Sequence, residues 1–305
     1  MTQKTKTLIV VAGPTAVGKT AAAIEIAKHY NTVVVSADSR QFFREMSIGT
    51  AKPDAGELAA VKHYFIDSHS INEPFSVGDF EKQGLALLDE LFKVHDHVIL
   101  AGGSGLYIKA ICEGFDDLPK ADPAIRENLN RELEEKGIIS LQQKLKLADP
   151  VYYEEVDLDN PQRIIRALEV FESSGKPISS YRQATINKRP FRIVKLALNL
   201  PREILYNRIN QRVDIMIQHG LLAEVQALLP YRQLNALQTV GYTELFDYVD
   251  GQTTLEKAVE MIKQNTRRFA KRQLTWFRRD SEFHWFQASD ADVITQMVNT
   301  ISSAS

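Results

Sequence analysis

Three apolar runs lie in the first third of the chain, and polar or glycine-rich residues follow each of them. They are TLIVVAG at residues 7–13, TVVVSAD at 32–38 and HVILAGG at 97–103. Each run lies next to a segment whose apolar residues recur with helical spacing. Continuous apolar runs that alternate with helices are typical of buried parallel strands. The pattern therefore predicts an α/β doubly wound sheet.

This alternation of strands and helices breaks after about Gly114. Residues 118–188 are polar and read as helices, and the apolar run FRIVKLALNL at 191–200 predicts a return to the sheet. Helices are expected from there to the C-terminus. We therefore predict an α/β core made of residues 1–117 and 189–305, with an all-helical domain inserted at residues 118–188.

The segment DNPQRIIRALEVFESSGKP, within the predicted insertion, carries the clearest helix boundaries. Asp159 or Asn160 is the expected N-cap, Pro161 lies in the first turn, and Gly175 follows the last turn. Helical periodicity directs Ile164 and Ile165 toward a core.

The composition is that of an ordinary globular protein, with 305 residues, 44% hydrophobic and 25% charged. The N-terminus enters the first strand directly, and no run approaches the length of a membrane span, so we expect a cytoplasmic protein without membrane contact. Cys112 is the single cysteine, which excludes an internal disulfide and a cysteine-rich zinc site.

The net charge of −2 conceals an uneven distribution of basic residues. Residues 261–279 contain seven Lys or Arg and no acid, and residues 161–195 contain eight Lys or Arg against two Glu. Two basic surfaces on a nearly neutral protein suit local contact with a polyanion. Charged helix faces are as often simply solvated, so charge alone does not decide between these interpretations.

A phosphate-binding loop follows the first strand. The spacing G-x-x-x-x-G-K-[ST] is met by Gly13, Pro14, Thr15, Ala16, Val17, Gly18, Lys19 and Thr20. The glycines let backbone N–H groups point inward, the following helix and Lys19 favour an anion, and the Thr20 hydroxyl can bind Mg²⁺. Such a loop recognises a diphosphate and does not identify the molecule that carries it.

A small-molecule kinase is the first hypothesis for such a loop. ATPase-type sheets usually have a strand that ends in Asp to hold Mg²⁺, whereas HVILAGG ends in glycines and only Asp67, after HYFI, could fill that role. A non-catalytic RNA-binding module is a second alternative. Asp38, at the end of the second apolar run, suits either a general base or a helix cap, and its position leaves both open.

Further motifs extend along most of the chain in a recognisable order. They are GPTAVGKT, SADSRQFFREMSIGTAKP, HYFID, FSVGDF, LAGGSGLYIKA, NPQRIIRALEVFESSGKPIS, LQTVGYTEL and TRRFAKRQLTWFRR. From about residue 8 to residue 279 the chain resembles the tRNA dimethylallyltransferases, also called tRNA isopentenyltransferases. The resemblance implies a P-loop NTPase-like parallel sheet flanked by helices, with the helical insertion.

The resemblance implies alkyl transfer and no phosphoryl transfer. Dimethylallyl diphosphate would be held by residues 13–20, with Mg²⁺ bound through Thr20. The prenyl group would move to the exocyclic N6 amine of the adenine immediately 3′ of the anticodon, and diphosphate would leave. The implied partner is the tRNA anticodon stem-loop, and we expect a monomer.

The resemblance also implies roles for individual residues. Asp38 would act as general base, Arg212 would reach the diphosphate, and Ser104 would stand where the family usually has threonine in its Gly-Gly-Thr-Gly loop. The residues implied to contact tRNA are Asp38, Ser39, Arg40, Gln41, Ser104, Arg126, Gln162, Arg163, Ile164, Ile165 and Arg166, and from the basic C-terminal helix Arg267, Arg268, Lys271 and Arg272.

Overall fold

The computed structural model describes residues 5–114, 118–119, 122–181 and 188–303. Within these residues six strands form one sheet in the order β3-β2-β4-β1-β5-β6, with every neighbouring pair parallel. The strands are β1 (Thr7–Ala12), β2 (Val34–Ser36), β3 (His63–Tyr64), β4 (His97–Gly102), β5 (Arg192–Asn199) and β6 (His284–Gln287). The predicted α/β class with a parallel sheet is confirmed.

Helices precede and follow these strands. Those that flank the sheet strands in sequence are α1 (Lys19–His29), α2 (Ala55–Ala60), α3 (Val77–Val94), α4 (Gly105–Glu113), α9 (Arg202–Gln218), α10 (Leu221–Ala227), α11 (Thr243–Val249), α12 (Leu255–Phe277) and α13 (Val293–Ser303). The helical segment between β4 and β5 also contains α5 (Pro123–Lys136), α6 (Ile138–Ala148), α7 (Pro150–Glu155) and α8 (Pro161–Ser174). In the described part of the chain, every helix is too short or too polar to span a bilayer.

Strand β1 is the most deeply buried part of the sheet. It pairs with β4 on one side and β5 on the other, and all six of its residues are buried. Leu8 and Val10 join the hydrophobic cluster on one face of the sheet, whereas Ile9 and Val11 join the cluster on the other face. A strand that is covered on both faces has no solvent side, which explains its uninterrupted apolar sequence.

The expectation that helices alone follow residue 200 is wrong. Strand β6, with the sequence HWFQ, pairs with the C-terminal half of β5 at the edge of the sheet. The strand is short and its outer residues His284 and Gln287 are exposed. Four residues with two polar ends give no clear strand pattern, so only the pairing with β5 defines this element.

The chain divides into two compact units, residues 1–113 with 188–305 and residues 114–187. The smaller unit has its own hydrophobic core, to which α8 contributes most of its buried residues. Helix α8 begins after Asn160, whose side chain accepts a hydrogen bond from the Arg163 N–H, and ends at Gly175 with φ 70°. These local caps fix the limits of the helix.

Candidate active site

A cavity of about 270 Å³ lies at the carboxyl ends of β1, β2 and β4, where ligands bind in open α/β sheets. Its wall combines the phosphate loop, the residues after β2, the loop at 50–53 and two side chains of α12. The polar and charged side chains in this wall include Thr15, Lys19, Thr20, Ser36, Asp38, Gln41, Lys52, Glu57, His63, Arg212 and Gln273.

The phosphate loop has the backbone shape that its glycines predict. Gly13 has φ 146°, and a Cβ there would lie 2.7 Å from the Leu198 carbonyl oxygen of β5. Gly18, with φ 108°, leads directly into α1. The ammonium group of Lys19 donates a hydrogen bond to the Pro14 carbonyl oxygen at 2.7 Å. The loop therefore curls around the position of the lysine.

Lys19 and Arg212 line this cavity, where burial disfavours the charged form of each side chain. Burial lowers the pKa of Lys19 to about 8; the Asp38 carboxylate opposes this shift and the charge of Arg212 adds to it. Burial also lowers the pKa of Arg212, against the opposing charges of Glu57 and Asp38. Because both groups lose hydration here, a bound polyanion would relieve the cost of keeping them charged.

The residues after β2 are tied to their surroundings by their backbone and side chains. Asp38 Oδ1 accepts a hydrogen bond from the Arg40 N–H at 3.0 Å, so Asp38 does cap the following turn while it also lines the cavity. Gln41 Nε2 donates to the carbonyl oxygens of Thr50 and Ala51 at 3.2 and 3.0 Å. These bonds fix Asp38 and Gln41 in the cavity wall.

Ser104 connects the glycine-rich loop after β4 to the turn after β2. Its hydroxyl oxygen accepts a hydrogen bond from the Ser39 N–H at 2.9 Å, and its own N–H donates to the Ala37 carbonyl oxygen at 3.3 Å. Arg40 is half-buried beside this contact; burial lowers its pKa, and the nearby Tyr107 and Asp38 groups oppose that shift. Ser39, Arg40 and Ser104 therefore stand next to the cavity wall that Asp38 and Gln41 form.

Asp67 does not occupy the position that a kinase would require. Its carboxylate is exposed and pairs with the Lys52 ammonium group. The strands beside β1 are β4, which ends in Gly102, and β5, which ends in Asn199. Among the described residues no group of three or more His, Cys, Asp or Glu side chains could hold a metal ion. Neither of the two strands beside β1 therefore ends in the acidic side chain that usually holds Mg²⁺ in ATPases.

Helix α12 has an apolar face and a basic face. Phe277 is buried in the core, whereas Phe269 and Trp276 are partly exposed and Phe269 lines the cavity. Arg267 donates to Asn210 Oδ1 at 2.6 Å, so this arginine is engaged within the protein. The exposed basic side chains of the sequence-predicted set are Arg268, Lys271 and Arg272.

Helix α8 separates the residues predicted at positions 162–166 into two groups. Ile164 and Ile165 are fully buried, so their side chains are not available to RNA, as their helical phase predicts. Gln162 and Arg163 are exposed, and Gln162 accepts a hydrogen bond from Arg126 at 2.9 Å. Arg166 donates to the Pro119 carbonyl oxygen and is less free than the sequence implies.

Sequence reasoning missed one residue beside the phosphate loop and one in the smaller unit. Arg208 of α9 donates to the Val17 carbonyl oxygen at 3.4 Å, so the helix that carries Arg212 also contacts the phosphate loop. Glu169 is fully buried and pairs with Arg126 at 3.2 Å and Arg166 at 3.5 Å. The sequence does place Glu169 among the apolar positions of α8, and this placement could have indicated a buried, paired carboxylate.

The chain is similar to proteins of known family. Residues 41–280 match the family model described as IPP transferase. The chain is 54% identical over 298 residues to a tRNA dimethylallyltransferase of Christiangramia forsetii, covering 96% of this chain and 99% of that protein.

Two solved structures are also similar. The tRNA isopentenylpyrophosphate transferase from Bacillus halodurans has a TM-score of 0.73 and 38% identity, with 98% of this chain and 96% of that chain covered. A eukaryotic dimethylallyltransferase acting on tRNA has a TM-score of 0.78 and 24% identity, with 98% and 77% covered, and at that identity it supports the fold alone.

Proposed function

The chain belongs to the IPP transferase family, and from that premise we propose that the cavity at the ends of β1, β2 and β4 is its active site. The protein is an enzyme that transfers a dimethylallyl group from dimethylallyl diphosphate to tRNA. One observation carries the assignment of the site: the phosphate loop, Arg212 and Asp38 line a single cavity.

In the proposed reaction the diphosphate is the leaving group. The bond between the prenyl C1 atom and the diphosphate oxygen breaks, and negative charge develops on that oxygen. The backbone N–H groups of residues 16–20, the Lys19 ammonium group and the Arg212 guanidinium group would stabilise this charge. Their poor hydration in the cavity strengthens the interaction.

The acceptor is proposed to be the N6 amine of the adenine immediately 3′ of the anticodon. An adenine must leave its stack before an enzyme can act on its exocyclic amine. As the N6–C1 bond forms, the amine must lose a proton, and Asp38 is the carboxylate placed to accept it. We propose that Gln41 contacts the adenine and that Ser39, Arg40 and Ser104 shape its pocket from behind.

Mg²⁺ is the proposed metal, and the residues present fit it. Thr20 and Asp38 contribute oxygen atoms to the cavity wall. Mg²⁺ usually binds through one or two protein oxygens together with substrate phosphates and water, and these two side chains offer such oxygens. When bound, the ion would neutralise charge on the departing diphosphate, and Thr20 would hold it.

We propose that exposed residues of each compact unit contact tRNA. The unit at 114–187 would contact the anticodon stem-loop through Arg126, Gln162, Arg163 and Arg166. Helix α12 would contribute Arg268, Lys271 and Arg272, with Arg267 in a supporting position. Exposed Lys and Arg side chains suit phosphate contacts, which position RNA without reading its sequence.

Location and assembly are further parts of this proposal. A cytoplasmic location is supported by the substrate, because tRNA modification requires access to the tRNA pool. A monomer is supported by the cavity, because one chain supplies the phosphate loop, Asp38 and Arg212 to the same site.

The decisive experiment incubates the protein with an unmodified tRNA pool, dimethylallyl diphosphate and Mg²⁺ and analyses the digested nucleosides by mass spectrometry. The expected product is N6-dimethylallyladenosine, mapped to the position 3′ of the anticodon, with release of diphosphate. Phosphate transfer from ATP to a small molecule would instead support a kinase. Tight tRNA binding without any prenylated nucleoside would support an RNA-binding module.

A further inference from the structure

Gln273 joins two loops of the proposed active site. Its side chain is buried on α12, and its Oε1 atom accepts a hydrogen bond from the Thr15 N–H at 2.8 Å. Its Nε2 atom donates to the Gly103 carbonyl oxygen at 2.9 Å. Thr15 belongs to the phosphate loop after β1, and Gly103 precedes Ser104 in the loop after β4. A single amide therefore bridges the two loops.

The contact with Gly103 is unusually close. A Cβ built on Gly103 would lie 2.3 Å from Gln273 Nε2, well inside van der Waals contact, so a side chain at position 103 would displace this amide. The bridge also requires one donor and one acceptor at the two ends of the same planar group. The Gln273 amide supplies both, whereas an apolar side chain of similar length supplies neither.

We propose that Gln273 is a positioning residue that sets the spacing between the diphosphate-binding loop and the loop beside the adenine. This inference rests on the proposed function, in which residues 13–20 hold the diphosphate and Ser104 lies beside the adenine pocket. Ser104 extends the connection further, because it accepts the Ser39 N–H next to Asp38. The amide thereby links the donor side of the site to the side that carries the general base.

The proposal makes a distinctive kinetic forecast. Each substrate binds mainly to its own loop, so loss of the bridge leaves the separate affinities nearly intact. The distance between the prenyl carbon and the amine matters only when both substrates react. A misplacement of about 1 Å can lower a rate on the order of 100-fold, so the loss falls on turnover.

The first test compares Gln273→Met, which removes both hydrogen bonds without adding charge, with Gln264→Met at an exposed position of the same helix. Calorimetry measures dimethylallyl diphosphate binding, filter binding measures tRNA affinity, and single-turnover assays with both substrates saturating measure the rate. We expect Gln273→Met to lower the rate roughly 10- to 100-fold, with both affinities within about threefold of those of Gln264→Met. A rate within threefold of the control, or a comparable loss in either affinity, overturns the proposal.

The second test reaches the same contact from Gly103, so it holds even if Gln273→Met does not fold. Gly103→Ala pushes against the Gln273 amide and should lower the single-turnover rate about tenfold or more. In a Gln273→Ala background the clash is gone, and Gly103→Ala should cost nothing further. An equal cost in both backgrounds overturns the coupling. Wild-type protein without prenyl transfer contradicts the proposed function itself, whereas normal wild-type turnover beside unaffected variants contradicts only the role of Gln273.

Discussion

Asp38 has a structural role in a turn and a proposed role as general base, and one substitution can distinguish the two. Its Oδ1 atom accepts the Arg40 N–H, and the side chain also lines the cavity. Asn retains an oxygen for the turn but cannot accept a proton from the adenine amine. We therefore expect Asp38→Asn to keep most tRNA affinity and to lose roughly two to four orders of magnitude in turnover, as measured in single-turnover assays.

Asp67→Asn provides the comparison for Asp38→Asn. Asp67 is exposed and paired with Lys52, so its neutralisation should change turnover far less. Near-normal turnover of Asp38→Asn would indicate that Asp38 has only a structural role in the turn. A larger loss of turnover in Asp67→Asn than in Asp38→Asn would favour the kinase hypothesis, in which Asp67 holds Mg²⁺.

Lys19 should make diphosphate binding depend on pH. Its pKa of about 8 in the free protein means that it loses its proton as the pH rises through 8, whereas a bound diphosphate favours the charged form. Binding above pH 8 must therefore take up a proton, and affinity should fall by up to about tenfold per pH unit between pH 8 and the pKa of the complex. Calorimetry of dimethylallyl diphosphate binding at pH 7.5 to 9.5 measures this directly.

Lys19→Arg is the matched variant for this pH dependence, because an arginine stays charged throughout that range. Its absolute affinity will differ, but its affinity should stay level across the same pH range. A wild-type affinity that does not change between pH 7.5 and 9.5 would contradict the assignment of Lys19 to the diphosphate.

At the scale of elements, the loop at 47–53 depends on one carboxylate of α10. Glu224 accepts hydrogen bonds from the N–H groups of Ser47, Ile48 and Gly49 at 2.8 to 3.0 Å, and from the Tyr242 hydroxyl at 2.6 Å. The same loop supplies the carbonyl oxygens that orient Gln41. It also separates the active-site cavity from a neighbouring cavity of about 410 Å³.

Glu224→Gln should loosen this loop, because an amide presents a donor where the loop N–H groups need acceptors. We expect a loss of about 1 to 3 kcal/mol in the free energy of unfolding and a raised KM for tRNA. Hydrogen exchange should speed up at residues 47–49, while α13 keeps its rates as an internal control. Tyr242→Phe removes one of the four hydrogen bonds to Glu224 and should speed up exchange less. Unchanged exchange at residues 47–49 in Glu224→Gln would contradict the role of Glu224 in holding this loop.

At the scale of the whole molecule, the basic residues differ in how strongly the protein itself engages them. Arg163, Arg268, Lys271 and Arg272 are exposed, and the contacts of Arg268 with Asn265 and of Arg272 with Phe269 are within α12. Arg166 and Arg267 are half-buried and donate to Pro119 and Asn210. Neutralising an exposed residue that contacts a tRNA phosphate should lower the slope of log affinity against log salt by somewhat under one unit. Thermal stability should not change, and turnover at saturating tRNA should be retained.

The measurement compares Arg268→Gln, Arg267→Gln and the exposed control Lys82→Gln. Arg267→Gln should lower the melting temperature, because it loses the bond to Asn210 and its contact with the Tyr206 ring. Lys82→Gln should change neither the slope nor the melting temperature. Unchanged slopes of log affinity against log salt in single variants of Arg268, Lys271 and Arg272 would contradict the assignment of α12 to the RNA-binding surface.

The sequence alone determined those features that are local along the chain. The phosphate loop, the buried strands of the sheet and the capped helix α8 each follow from a few consecutive residues, because their dihedral angles and burial are set by near neighbours. The order of several such motifs was enough to indicate the family and its reaction.

The tertiary structure decided which side chains serve the site from a distance. Gln273 and Glu224 were missed because their partners lie about 170 to 260 positions away in the chain. The pairing that defines β6 is likewise between segments distant in sequence. Gln273 shares its helix face with Ala270 and Phe277, and this pattern indicates only that a polar group is buried. A buried amide must find partners, but the periodicity of its own helix carries no information about which loops provide them.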